Sequence, residues 1–180
     1  MPSLNSHPDH PRSPALAIEA QATRGPGGVL HLTYVLSGAA GSVALPPPSA
    51  PGRADELWRH TCFEAFVRAE GADGYHEFNL SPSTQWAAYA FDGYRSSMRP
   101  ADVAAPQIEV RRGTDRFELL ARFDLNGSGL DDLDWRIGLS AVVKAADKSA
   151  SYWALAHPAG KPDFHHADCF TLELPAIGRS

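Results

Sequence analysis

The chain has 180 residues and a formal net charge of −5, with 43% hydrophobic and 21% charged residues. That length and balance suit one globular domain that buries a core without disulfide staples, and no apolar stretch approaches the ~20 residues that a membrane helix needs. Mild acidity, with no run of Lys or Arg, argues against nucleic acid or a membrane surface as partner.

Residues 1–14 contain four prolines together with His7 and His10. They are expected to form a disordered N-terminal tail, with residues 15–180 as a single domain. The first residues lack the apolar core of a secretory signal, so a cytoplasmic location is expected. Residues 15–23 alternate, with Leu16, Ile18 and Ala20 on one side, and predict the first strand. The turn Gly25-Pro26-Gly27-Gly28 links it to a second strand over 29–37, where Leu30, Leu32 and Tyr34 oppose His31, Thr33 and Val35. Residues 38–52, with Pro46-Pro47-Pro48 inside, predict a long loop holding at most a short strand at 42–45. In 58–68, Phe63, Ala65 and Val67 alternate with Cys62, Glu64 and Phe66, giving one apolar and one mixed face. Strands at 75–80 and 85–91 complete a meander. Further strands are predicted over 107–112, 117–123, 135–144, 151–156 and 169–174. No segment keeps helical spacing over three turns. Strands at this spacing, broken by turn signals, predict an all-β fold, an antiparallel sandwich of about ten strands.

Glu64 lies in the middle of a strand, between Phe63 and Ala65, where a carboxylate is costly to bury unless it is paired. The next strand offers Glu77 and Asn79. If the two glutamates share a face, they repel unless a cation or ligand lies between them; the alternative is an ordinary wet sheet face. Paired carboxylates also suit glycoside hydrolysis, but only at a set separation across a cleft. Trp58, Trp86, Tyr89, Tyr94, Trp135, Tyr152 and Trp153 could pack a core or stack on sugar rings. His165 and His166, with His157, Asp163 and Asp168 nearby in sequence, are a weak candidate metal group. Cys62 and Cys169 read as two small half-buried hydrophobes, with a disulfide or a shared metal as the alternatives. No GxSxG, GxGxxG or P-loop pattern occurs, which disfavours a serine nucleophile or a nucleotide cofactor.

The stretch LWRHTCFEAFVRAEGADGYHEFNLSPSTQWAAYAFDGYR and the C-terminal WALAHPAGKPDFHHADCF resemble the DOMON-like superfamily, which includes the family 9 carbohydrate-binding modules. The resemblance implies a β-sandwich with a ligand pocket for a sugar or a haem. A sugar would lie between tryptophans, here Trp58 and Trp153. Family 9 members often carry structural calcium, although this chain has Thr61 and Cys62 where they often have Asp. A haem would take Met98 with Lys144 or His157 as axial ligands.

The sequence therefore predicts a non-catalytic module for a small molecule or glycan, held by Trp58, Arg59, Glu64, Glu77, Asn79, Trp86, Arg95 and Trp153. The rival readings are a haem-binding module and an enzyme using His60, Glu64, His165 or His166.

Overall fold

The computed structural model describes residues 1–10, 15–38, 40–130 and 132–177. Among these, thirteen strands form: β1 (Asn5–Ser6), β2 (Ala17–Gly25), β3 (Val29–Ser37), β4 (Gly52–Arg53), β5 (Cys62–Ala69), β6 (Tyr75–Leu80), β7 (Gln85–Phe91), β8 (Arg99–Pro100), β9 (Gln107–Arg112), β10 (Arg116–Asp124), β11 (Trp135–Lys144), β12 (Ala150–Ala154) and β13 (Leu172–Leu174). Among the described residues, the only helical segments are single turns of 3-10 helix. No described helix is long and apolar enough to cross a membrane.

Two sheets face each other. The smaller runs β2-β3-β10-β9, and the larger runs β1-β12-β11-β5-β6-β7-β4, with β13 on β11 and β8 on β7. The expected β-sandwich is therefore present, with additional two-residue strands at its edges. The small sheet follows the period-2 rule: Ile18, Ala20, Leu30, Leu32, Tyr34, Phe117, Leu119 and Phe123 are buried on its inner side. They pack against the inner side of the large sheet, where Phe63, Ala65, Val67, Phe78, Leu80 and Leu139 stand. The Tyr34 hydroxyl reaches across the sandwich and donates to the backbone carbonyl of Glu64 at 2.6 Å. That bond ties β5 to the opposite sheet at Glu64.

The large sheet is buried on its outer side as well. A second cluster there contains Cys62, Phe66, Tyr75, Tyr89, Phe91, Val142, Phe164 and Phe170. Its cover is the 3-10 turn Leu57–Arg59, the connection after β7 and the long segment between β12 and β13. Strands buried on both faces lose the clean polar alternation of a half-wet sheet, as β5 does.

Three expectations are corrected. Residues 1–10 are not a loose tail: Asn5 and Ser6 pair with Ala154 and Trp153, Leu4 enters the core, and His7 is buried. The sheet edge at β12 offers unpaired backbone groups, and the N-terminal segment satisfies them. Residues 11–14 of the predicted tail lie outside the described residues. The predicted strand at 42–45 reduces to a single bridge, Val43 with Ala145. The last strand begins at Leu172 instead of Cys169, because 167–169 form a 3-10 turn. Both cysteines are buried free thiols, so the disulfide alternative is set aside.

Candidate ligand site

The outer side of the large sheet carries a cavity of about 400 Å³. Its floor comes from strand parity. In the ladders, Glu64 lies between Ser140 of β11 and Asn79 of β6, and Phe66 lies opposite Glu77. Glu64, Asn79 and Glu77 therefore share a face, and they are diagonal or direct neighbours. The glutamates are 4% and 5% exposed, and both line the cavity.

The walls come from loops. Trp58 stands on the 3-10 turn before β5, edge-on to Tyr89 at 6.0 Å between ring centres. Arg95 and Met98 come from the connection between β7 and β8, while Phe164 and His165 come from the segment before β13. Tyr152 of β12 completes the aromatic lining. Arg95 holds a left-handed backbone, φ 51°, which is uncommon for a residue with a side chain. Its amide donates to the Tyr75 hydroxyl at 3.1 Å, and its guanidinium donates to Asp163 Oδ1 at 2.7 Å. Tyr94 donates to the other oxygen of Asp163 at 2.5 Å. The arginine is thus clamped from both ends at the cavity mouth.

Burial raises the pKa of Glu64 well above the carboxylate range, and neighbouring Glu77 raises it further; Arg95 works in the opposite direction. Ser140 Oγ also eases the charge but makes no hydrogen bond of regular geometry. Burial pushes Glu77 up to about 7, against the pull of Asn79 and Arg95. Asn79 Nδ2 donates to Glu77 Oε1 at 2.7 Å. His165 is lowered to about 4, mainly by burial and then by Arg95. Its Nδ1 pairs with the Tyr75 hydroxyl at 2.7 Å, and its Nε2 is 3.7 Å from Glu77 Oε2. Near neutral pH the site therefore holds a neutral imidazole beside two carboxyls that resist full ionisation together.

Of the residues named from sequence, Trp58, Glu64, Glu77 and Arg95 meet at the cavity, with Asn79 behind Glu77. Trp86 and Trp153 do not. Trp86 pairs with Leu80, Leu80 pairs with Phe63, and all three face the sandwich core. Trp153 pairs with Ala141, the partner of Phe63, so it too points inward, while its neighbour Tyr152 points to the cavity. Arg59 is surface-exposed and paired with Glu56 at 2.7 Å. Sequence reasoning did not place Tyr152, Phe91 or Phe164 at the site. Tyr152 was recoverable from β12 once its partner in β11 was known.

The weak metal group does not assemble. His165 and Asp163 meet beside the cavity, but His157 bonds the Asn5 carbonyl at 2.8 Å and His166 turns to Asp168. Among the described residues, no group of three or more His, Cys, Asp or Glu side chains could hold a metal ion. The residues offered to a haem are not brought together in one cavity. Met98 lines the cavity, Lys144 lines a separate hollow with His60, and His157 is engaged with the N-terminal strand. His60 is thereby also parted from Glu64 and His165.

No protein-family model and no curated protein matches the chain. Solved structures do. A "putative carbohydrate-binding protein" from Bacteroides uniformis ATCC 8492 aligns over 96% of this chain and 84% of its own, at 17% identity and a TM-score of 0.64. A family 9 carbohydrate-binding module from Caldicellulosiruptor kristjanssonii, in complex with cellotriose, aligns over 98% and 83% at 10% identity and a TM-score of 0.57. Its complex with glucose aligns over 98% and 85%, again at 10% identity, with a TM-score of 0.54. At such identities the likeness is one of architecture: the chain has the fold of the family 9 carbohydrate-binding modules.

Proposed function

We propose that the chain is a non-catalytic module that binds a carbohydrate, or a metabolite containing one, in the cavity over β5 and β6. One observation carries this reading. Trp58 and Tyr152 bring aromatic surface to the same 400 Å³ hollow in which Glu64, Glu77 and Arg95 present polar groups. Sugars need that combination, an apolar ring face to stack and convergent partners for hydroxyls. The family 9 structures of the same fold hold glucose and cellotriose, which supports a saccharide over other ligands of similar size.

The stacking role falls to Trp58 and Tyr152, on different elements bordering the hollow. Asn79 acts one step back, orienting Glu77 through its amide. The test is titration calorimetry or chemical-shift mapping with mono- and oligosaccharides, including glucose, cellotriose and peptidoglycan-derived sugars. Binding is expected with at least one of them, and Trp58→Ala should weaken it about tenfold or more. No response across the panel, or full affinity in the Trp58→Ala protein, overturns the reading.

A further inference from the structure

We propose that the cavity selects a ligand bearing an ammonium group, so that an amino sugar binds ahead of its neutral or acidic counterpart. This rests on the carbohydrate reading above and names the class of sugar.

Two buried carboxyls, Glu64 and Glu77, line it. The one guanidinium in the lining, that of Arg95, is already held by Asp163 at 2.7 Å. His165 adds no positive charge near neutral pH, because burial and Arg95 keep its imidazole neutral. The side-chain donors are few: Asn79 Nδ2 is used on Glu77, and the neutral His165 ring has a single N–H, its Nδ1 paired with Tyr75 and its Nε2 3.7 Å from Glu77. The acceptors are in surplus. Behind this lining, Asn79 Oδ1 is a buried acceptor with no hydrogen-bond partner, on a fully buried residue directly across the ladder from Glu64. An orphan acceptor in that position is costly unless a donor arrives. An ammonium group brings three N–H donors, no acceptor and the missing charge. The lining also contains the aromatic residues Trp58, Tyr152 and Phe91, and an aromatic ring attracts a cation placed over its face. A carboxylate-bearing sugar would meet the opposite field.

The groups that bear on Glu64 are Glu77 and Asn79 from β6, Ser140 from β11, Cys62 from its own strand, Tyr34 from β3 of the opposite sheet, and Arg95 from the β7–β8 connection. Burial and the Glu77 charge favour a proton on Glu64 in the empty site. The arriving cation reverses that preference: the Glu64 carboxylic acid gives its proton to solvent and the carboxylate pairs with the ammonium. Amine binding therefore releases a proton, whereas neutral-sugar binding does not.

The experiment is calorimetry near pH 7 with glucose and galactose, their 2-amino and 2-acetamido forms and their uronic acids, in two buffers of unequal protonation enthalpy. The amino form is expected to bind about tenfold or more tightly than the parent sugar, with net proton release. Acetylation should abolish the gain, and the uronic acid should bind more weakly than the parent. Glu64→Gln should bring the amino sugar down to the affinity of its parent. A neutral sugar that binds as well as its amino form overturns this inference and leaves the carbohydrate reading standing. Silence from every sugar removes both.

Discussion

Phe63 and Glu64 are chain neighbours on one strand, and both are almost completely buried. Their surroundings differ in kind. Phe63 points between the sheets, stacked on Phe117 at 5.6 Å and beside Tyr34 at 5.0 Å. Glu64 points outward, into a hollow roofed by loops and shared with a second carboxyl and an arginine. The inner face is closed by another sheet, with side chains of complementary shape on both sides. The outer face is closed by segments that arch over it and leave space. Burial alone does not separate a core from a site. What separates them is whether the covering element is a sheet that fills the gap or a loop that spans it.

The largest expected effect tests that contrast directly. Phe63→Ala removes an aromatic ring from a position between two rigid layers, and should lower unfolding free energy by about 3–5 kcal/mol in urea denaturation. Glu64→Gln, one residue on, conserves shape and removes a charge that its surroundings oppose. It should change stability by less than about 1 kcal/mol. If the two substitutions cost the same, the outer face is packed as tightly as the core, and the distinction drawn here is broken.

The same pair shows what sequence could reveal. Alternation on β5 put Phe63 and Glu64 on opposite faces, and the spacing of β6 put Glu77 and Asn79 together. The strands over 29–37, 75–80, 85–91, 107–112 and 135–144 were legible because pattern and turn residues agreed. The faces of Trp86 and Trp153 were not, because a tryptophan suits a core and a sugar-stacking surface equally well. In a strand the neighbour points to the other side, and only the register decides: Leu80 with Trp86, Ala141 with Trp153. The N-terminal strand escaped for another reason. Its two residues carry no pattern, and they are ordered by the edge of β12 that they meet. Phe164 and His165 reach the site through loop geometry, which no periodicity encodes.

A smaller effect sharpens the electrostatic half of the comparison. Glu77 titrates at about 7 in the fold against an ordinary value of 4.5, chiefly because it is buried. The folded state therefore holds its proton more tightly than the unfolded chain. This contribution to stability is complete below about pH 4.5 and is lost as the pH rises through about 7. Burial of His165 works in the opposite direction, since its lowered value removes stability as the pH falls from 6.5 towards 4. The two trends overlap in the wild type, and comparison with Glu77→Gln separates them. Relative to wild type, the variant should gain stability steadily between about pH 4.5 and 7 and remain level outside that window. A constant difference in urea midpoints across the range would mean that the Glu77 carboxyl is not desolvated.

The smallest effect belongs to Arg59, which lies next to Trp58 in sequence and outside the cavity in space. Its guanidinium pairs with Glu56 at 2.7 Å, and both side chains are more than half exposed. An ion pair in that setting is screened by water and salt, and holding two long side chains in one geometry offsets much of the attraction. Arg59→Ala should therefore shift unfolding free energy by less than about 0.5 kcal/mol. Sugar affinity should change by less than about twofold, against the roughly tenfold loss expected from Trp58→Ala. The two residues ride on the same 3-10 turn, so a disturbance of the turn itself would weaken both variants alike. A wide gap between them would show that the indole face carries the contact. Equal losses would shift the ligand towards the exposed rim of the turn and away from Glu64 and Glu77, where the arginine rather than the buried carboxyls would hold it.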